Sequence, residues 1–180
     1  MSKTFLQFAF MFVVLVIAQA VIFNHIALFS VALAFVFIYF ILRLPISMNG
    51  SRVIALSFMI GLAVDVFADT PGMNSLAATC IGASRRTVLR LYVPRDEDIS
   101  GSQPSVWSLG LGVYCKYVVT MSLLFSLLVF LIEALSFFNP GLLLMRVVAS
   151  TLLTSLLIMA IDSLTAEPAG SSARRREKRL

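Results

Sequence analysis

Five ionisable residues interrupt otherwise apolar stretches of this chain: Asp65, Lys116, Glu133, Arg146 and Asp162. A charge inside an apolar run is costly, so such residues pair with one another, relay protons, or meet a ligand or partner. Glu133 lies six residues before Asn139 and Arg146 seven after it. A turn at Asn139-Pro140-Gly141 therefore sets these two at similar depth, where they can form an ion pair. By the same counting Lys116 and Asp162 fall together at the far ends of the two runs, and end-of-helix ion pairing is expected of them too. Asp65 has no basic residue nearby. It precedes Asp69-Thr70-Pro71-Gly72-Met73-Asn74, in which Asp69 or Thr70 can cap a helix and Pro71 suits its first position. Two roles fit Asp65: fixing that turn by hydrogen bonds to the start of the next helix, or contacting a ligand or partner.

The sequence holds no nucleophile–base arrangement, no HExxH, no phosphate-binding glycine loop and no cluster of metal ligands. Catalysis, a cofactor and a metal site are therefore not expected. Cys80 and Cys115 stand far apart in no paired motif and read as small apolar residues of helices. His25, the single histidine, lies in a turn. Mid-span acidic residues of the kind that relay protons are missing, which argues against a proton-coupled transporter.

The elements that must position these residues follow from composition. Of 180 residues 59% are hydrophobic and 13% charged, against roughly a quarter charged in a soluble domain. The apolar residues form unbroken runs, and about 20 such residues cross a hydrocarbon core of about 30 Å. The expected fold is all-α: a polytopic membrane bundle of six transmembrane helices over residues 1–162, followed by a basic tail, 163–180. The runs are 5–23, 26–42, 53–68, 73–84, 117–135 and 142–161. In the first, Ala18-Gln19-Ala20 resembles a signal cleavage site, but the apolar run continues through Val21-Ile22-Phe23 and reads as an uncleaved span. Between Arg52 and Arg85 about 32 residues must cross and return. Two helices of about 14 residues would reach only about 21 Å, so the third and fourth spans are expected to be short: the bilayer thins, the arginines snorkel, or the pair is partly re-entrant.

The basic residues set the orientation. With six spans and both termini cytoplasmic, Lys3, Arg43, Arg52, Arg85, Arg86, Arg90, Arg95, Lys116 and the tail cluster Arg174-Arg175-Arg176-Glu177-Lys178-Arg179 lie inside, and only Arg146 lies outside. The net charge of +5 thus reports topology and contact of the tail with anionic lipid, not nucleic acid; a partner docking on the tail is the other reading. Trp107, Tyr114 and Tyr117 fit an interfacial aromatic belt.

The stretch Gly61-Leu62-Ala63-Val64-Asp65-Val66-Phe67-Ala68-Asp69-Thr70-Pro71-Gly72-Met73-Asn74 resembles the rod shape-determining MreD family. That family carries a G-x-x-x-D pattern at a helix end, a short Pro-Gly turn and a helix of small residues. Length, hydrophobic spans and basic C-terminus agree along the whole chain, whereas the Ala-Asp-Thr before Pro-Gly departs from the usual Ser/Gly-rich turn. The resemblance implies a non-enzymatic subunit of the bacterial inner membrane. Such a subunit works with the bitopic protein MreC to link MreB filaments to the peptidoglycan synthases of the lateral wall. By the same resemblance Asp65, Pro71, Gly72 and Asn74 match motif positions, at the outer end of helices three and four where a partner would dock. The family also looks like the six-helix substrate-binding subunits of vitamin transporters. A small-molecule transport component is accordingly the alternative expectation, with Asp65, Asn74 and Arg146 lining its cavity.

Overall fold

A computed structural model describes residues 3–23, 32–70, 72–93, 103–134 and 140–165. All regular structure among them is helical: α1 Lys3–Ala18, continued by a π-helical turn Gln19–Phe23, α2 Ile38–Arg43, α3 Gly50–Ala68, α4 Met73–Tyr92, α5 Val106–Leu109, α6 Leu111–Ala134 and α7 Pro140–Thr165. Three helices, α3, α6 and α7, are long and apolar enough to cross a membrane, and the apolar part of α1, Leu6–Val21, is shorter. The chain is thus an all-helical protein with the makings of a multi-pass membrane protein.

The bundle is apolar on its outside as well as in its core. Phe58, Met59, Leu62, Val66 and Phe67 of α3 are exposed, as are Leu123, Leu127 and Leu131 of α6 and Leu144, Val148, Leu152 and Leu156 of α7. Leucines recurring every four residues make one stripe of a helix, and so much exposed apolar surface suits hydrocarbon, not water. Inside, every residue from Phe37 to Leu42 is buried, so α2 is surrounded by protein on all sides. Phe125 of α6 packs edge-on against Phe35 and Phe37, at 5.0 and 5.4 Å between ring centroids.

The second apolar run departs from expectation. Among the described residues of that run, Ala32–Phe37 are non-helical and helix begins at Ile38. Side chains from distant helices supply what a helix would have supplied. Leu33 N–H donates to Ser150 Oγ (2.9 Å) and Phe35 N–H to Thr154 Oγ1 (3.1 Å), both on α7. Gln19 grips this non-helical strap, Ala32–Phe37, as well: its Oε1 accepts from Val36 N–H and its Nε2 donates to Ala34 C=O, each at 2.9 Å. One carboxamide thereby makes the donor–acceptor pair that a neighbouring β-strand would make. Non-helical backbone within a membrane bundle is tolerable when its polar groups are paired inside the protein in this way.

The third and fourth segments are corrected in the opposite sense. They are not short: α3 has 19 residues and α4 has 20, about 28 and 30 Å at 1.5 Å per residue. Arg52 and Arg85, which flank the apolar runs in sequence, lie within the helices, because α3 begins at Gly50 and α4 continues through Arg85, Arg86 and Arg90. His25, Arg95 and the tail lie outside the described residues.

The α3–α4 hairpin is closely packed through small residues. A methyl group at Gly61 would lie 2.5 Å from the Cα of Ser75, and one at Gly82 would lie 2.8 Å from the Cβ of Ser57. Small residues let helix backbones approach where no hydrophobic force pulls them together. Gly61→Ala must push backbone against backbone. The expected loss is about 2 kcal/mol of stability, measured by SDS unfolding in mixed micelles; Gly50→Ala, where a methyl meets nothing within 4 Å, is the control.

Candidate functional site

The turn joining α3 and α4 is built around Asp65, which is buried one turn before the end of α3. Its Oδ1 accepts hydrogen bonds from Asn74 N–H (2.9 Å), Asn74 Nδ2 (3.0 Å) and Thr70 Oγ1 (2.9 Å), and its Oδ2 accepts from Ser75 N–H (2.8 Å). The first backbone N–H groups of a helix have no partner within the helix and carry its positive end. Here a carboxylate from the preceding helix caps them across the turn. The chain reverses through Asp69, in left-handed conformation at φ 52°, and Gly72 at φ 82°. Asp69 N–H and Thr70 N–H both return to Asp65 C=O, and Asn74 Nδ2 also donates to Thr70 Oγ1 (3.0 Å). Asp65, Thr70 and Asn74 thus form a closed ring of hydrogen bonds, while Asp69 and Gly72 stand exposed on the turn. Pro71 lies outside the described residues.

The geometry leaves Asp65 no free face for acid–base work. Its two oxygens are occupied by four donors, and the turn they hold presents the Asp69 carboxylate outward on a rigid frame. At the same end of the bundle Arg146 Nη1 lies 2.8 Å from Glu133 Oε1, and the guanidinium sits 5.4 Å over the Phe130 ring. This pair is partly exposed, so its net contribution is small.

The opposite end is knitted by two arginines whose partners are remote in sequence. Asp162 of α7, fully buried, does not pair with Lys116, which is exposed; Arg43 Nη1 meets Asp162 Oδ1 at 2.7 Å instead. Tyr39 Oη donates to the same oxygen (3.1 Å) and is itself bonded to Arg43, while Val106 N–H donates to Asp162 Oδ2 (2.9 Å). Asp162 therefore ties α2 and the start of α5 to α7. Lys116 loses the competition because its side chain points off the bundle, while Arg43 ends the fully buried α2. Arg85, also buried, donates to the carbonyls of Leu42 and Leu44 and, through Nε, to Tyr117 Oη at 3.3 Å. A guanidinium on the last carbonyls of α2 answers the negative end of that helix. Arg85 was legible as a topology marker; its place in the core was not.

Gln19, Ser150 and Thr154, which hold the strap, were likewise not singled out. Their one signal was a polar side chain at the middle of an apolar run. Comparison of the chain with known protein families, curated proteins and solved structures finds no match.

Proposed function

We propose that this chain is a six-span, non-enzymatic subunit of the bacterial inner membrane with both termini cytoplasmic. In this reading it is a scaffold of the cell-elongation machinery similar to MreD. Its partners are an MreC-like bitopic protein and, through it, MreB filaments and peptidoglycan synthases. The observation that carries the reading is the Asp65 turn. Of the residues that match the family motif (Asp65, Pro71, Gly72 and Asn74), Asp65 commits both carboxylate oxygens to the link between α3 and α4, and Asn74 commits its backbone and side-chain N–H donors, as a rigid docking surface requires. Charge supports the orientation. Arg43, Arg85 and Arg86 gather about the 42–48 turn, whereas Asp69 and Glu133 are exposed towards the other end, in keeping with the positive-inside rule. Depletion from a rod-shaped host should round the cells, and affinity purification should recover a bitopic coiled-coil protein. Rod shape retained after depletion counts against the proposal.

One observation favours a second reading, the small-molecule transport component. The strap at Ala32–Phe37 meets α7 at Ser150 and Thr154, midway along that helix, and interrupted helices near the midplane are where transporters bind their substrates. Stabilisation by one compound in a thermal-shift screen of vitamins would support it.

A further inference from the structure

The basic end of the bundle carries an exposed cluster that neither the strap nor the Asp65 turn explains. Arg86 and Arg90 lie four residues apart on α4 and both are exposed, so their side chains rise from one face with Cβ atoms about 6 Å apart. Arg86 is steadied by a hydrogen bond from Nη2 to Met48 C=O (3.0 Å). That carbonyl precedes α3, whose first turn adds the exposed Arg52. Leu91, beside Arg90, is 75% exposed, and Trp107 and Leu111, which flank the start of α6, are exposed as well. At this end the described acidic residue, Asp162, is buried and already paired with Arg43. Among the described residues the exposed charge at this end is therefore positive, and the exposed Leu91 adjoins it along α4.

We infer that Arg86 and Arg90, with Arg52 alongside, form a clasp for the phosphate of an anionic phospholipid in the cytoplasmic leaflet, with Leu91 against its acyl chains. Guanidinium groups bind phosphate oxygens in a bidentate fork, and two of them one helical turn apart can share a single phosphodiester. A bilayer lipid is the occupant because the cationic pair and the exposed Leu91 are adjacent on α4, which suits a molecule with an anionic head and a hydrocarbon tail. The inference needs the bundle to lie in a bilayer but not the elongation role, so the two stand or fall by different experiments.

The test is native mass spectrometry of the full chain in detergent, titrated with phosphatidylglycerol and with phosphatidylcholine. The wild type should prefer phosphatidylglycerol. Each arginine near the lipid surface is worth about fivefold in affinity, so Arg86→Gln should lose about fivefold of that preference and Arg86→Gln/Arg90→Gln about fivefold more. The preference should survive replacement of Arg174, Arg175 and Arg176 by glutamine, which separates the clasp from the tail, and should resist millimolar inorganic phosphate. Equal retention of the two lipids by the wild type overturns the inference. So does a preference unchanged in the double variant, lost with the tail arginines alone, or abolished by free phosphate.

Discussion

Asp65→Ala is expected to lower the stability of the bundle by about 2–5 kcal/mol, because it leaves the start of α4 without its cap. Two buried backbone donors, Asn74 N–H and Ser75 N–H, lose their acceptors, and each stranded donor costs about 1–3 kcal/mol. The side-chain donors are partly rescued, since Asn74 Nδ2 keeps Thr70 Oγ1. Asp65→Asn separates hydrogen bonding from the mere presence of a polar side chain. The amide keeps one acceptor oxygen but sets an NH2 against the other set of donors, so about half the loss should remain. Asp69→Asn, on the exposed side of the same turn, should change stability by no more than about 0.5 kcal/mol. The measurement is SDS unfolding in mixed micelles. A fall in Asp65→Ala no larger than in Asp69→Asn would show that the hydrogen-bonded ring does not hold the hairpin. Because the proposed scaffold uses this turn as a rigid frame, Asp65→Ala should also lose the bitopic partner in co-purification while Asp69→Asn stays folded and reports on the surface itself.

The second large effect is expected at Asp162. Removing one member of a buried ion pair costs about 3–5 kcal/mol, chiefly because the other charge is left without compensation. Asp162→Ala deprives Arg43, Tyr39 and the Val106 N–H of a shared acceptor. The Arg43 side chain is 18% exposed and can swing towards the head groups, which places the expected loss at the lower end, about 3 kcal/mol. Replacing both partners by apolar residues, Arg43→Met with Asp162→Leu, should cost less than Asp162→Ala alone, since neither charge then remains to be buried. A double variant as unstable as the sum of its parts would mean that the two charges are not coupled.

Local spacing made part of this protein legible. Asp65 and its backbone partners are nine and ten residues apart, and Glu133 and Arg146 thirteen, so two helices consecutive in sequence bring each set together almost regardless of the rest of the chain. The apolar runs likewise account for α3, α6 and α7, because length and hydropathy are properties of each segment alone. Tertiary structure decided what depends on packing. Leu33 and Phe35 find their acceptors 117 and 119 residues away, and no local pattern tells an apolar run that its backbone will be paired by another helix's hydroxyls instead of coiling. Spacing pointed to Lys116 as the partner of Asp162, whereas Arg43 lies 119 residues away in sequence. The burial of α2 decided for Arg43, since a carboxylate removed from solvent takes the cation that reaches it within the protein. The same holds for Arg85 and for the lengths of α3 and α4. A basic residue marks the end of an apolar run in sequence, but a helix continues through it wherever carbonyls and a tyrosine hydroxyl wait to receive the guanidinium.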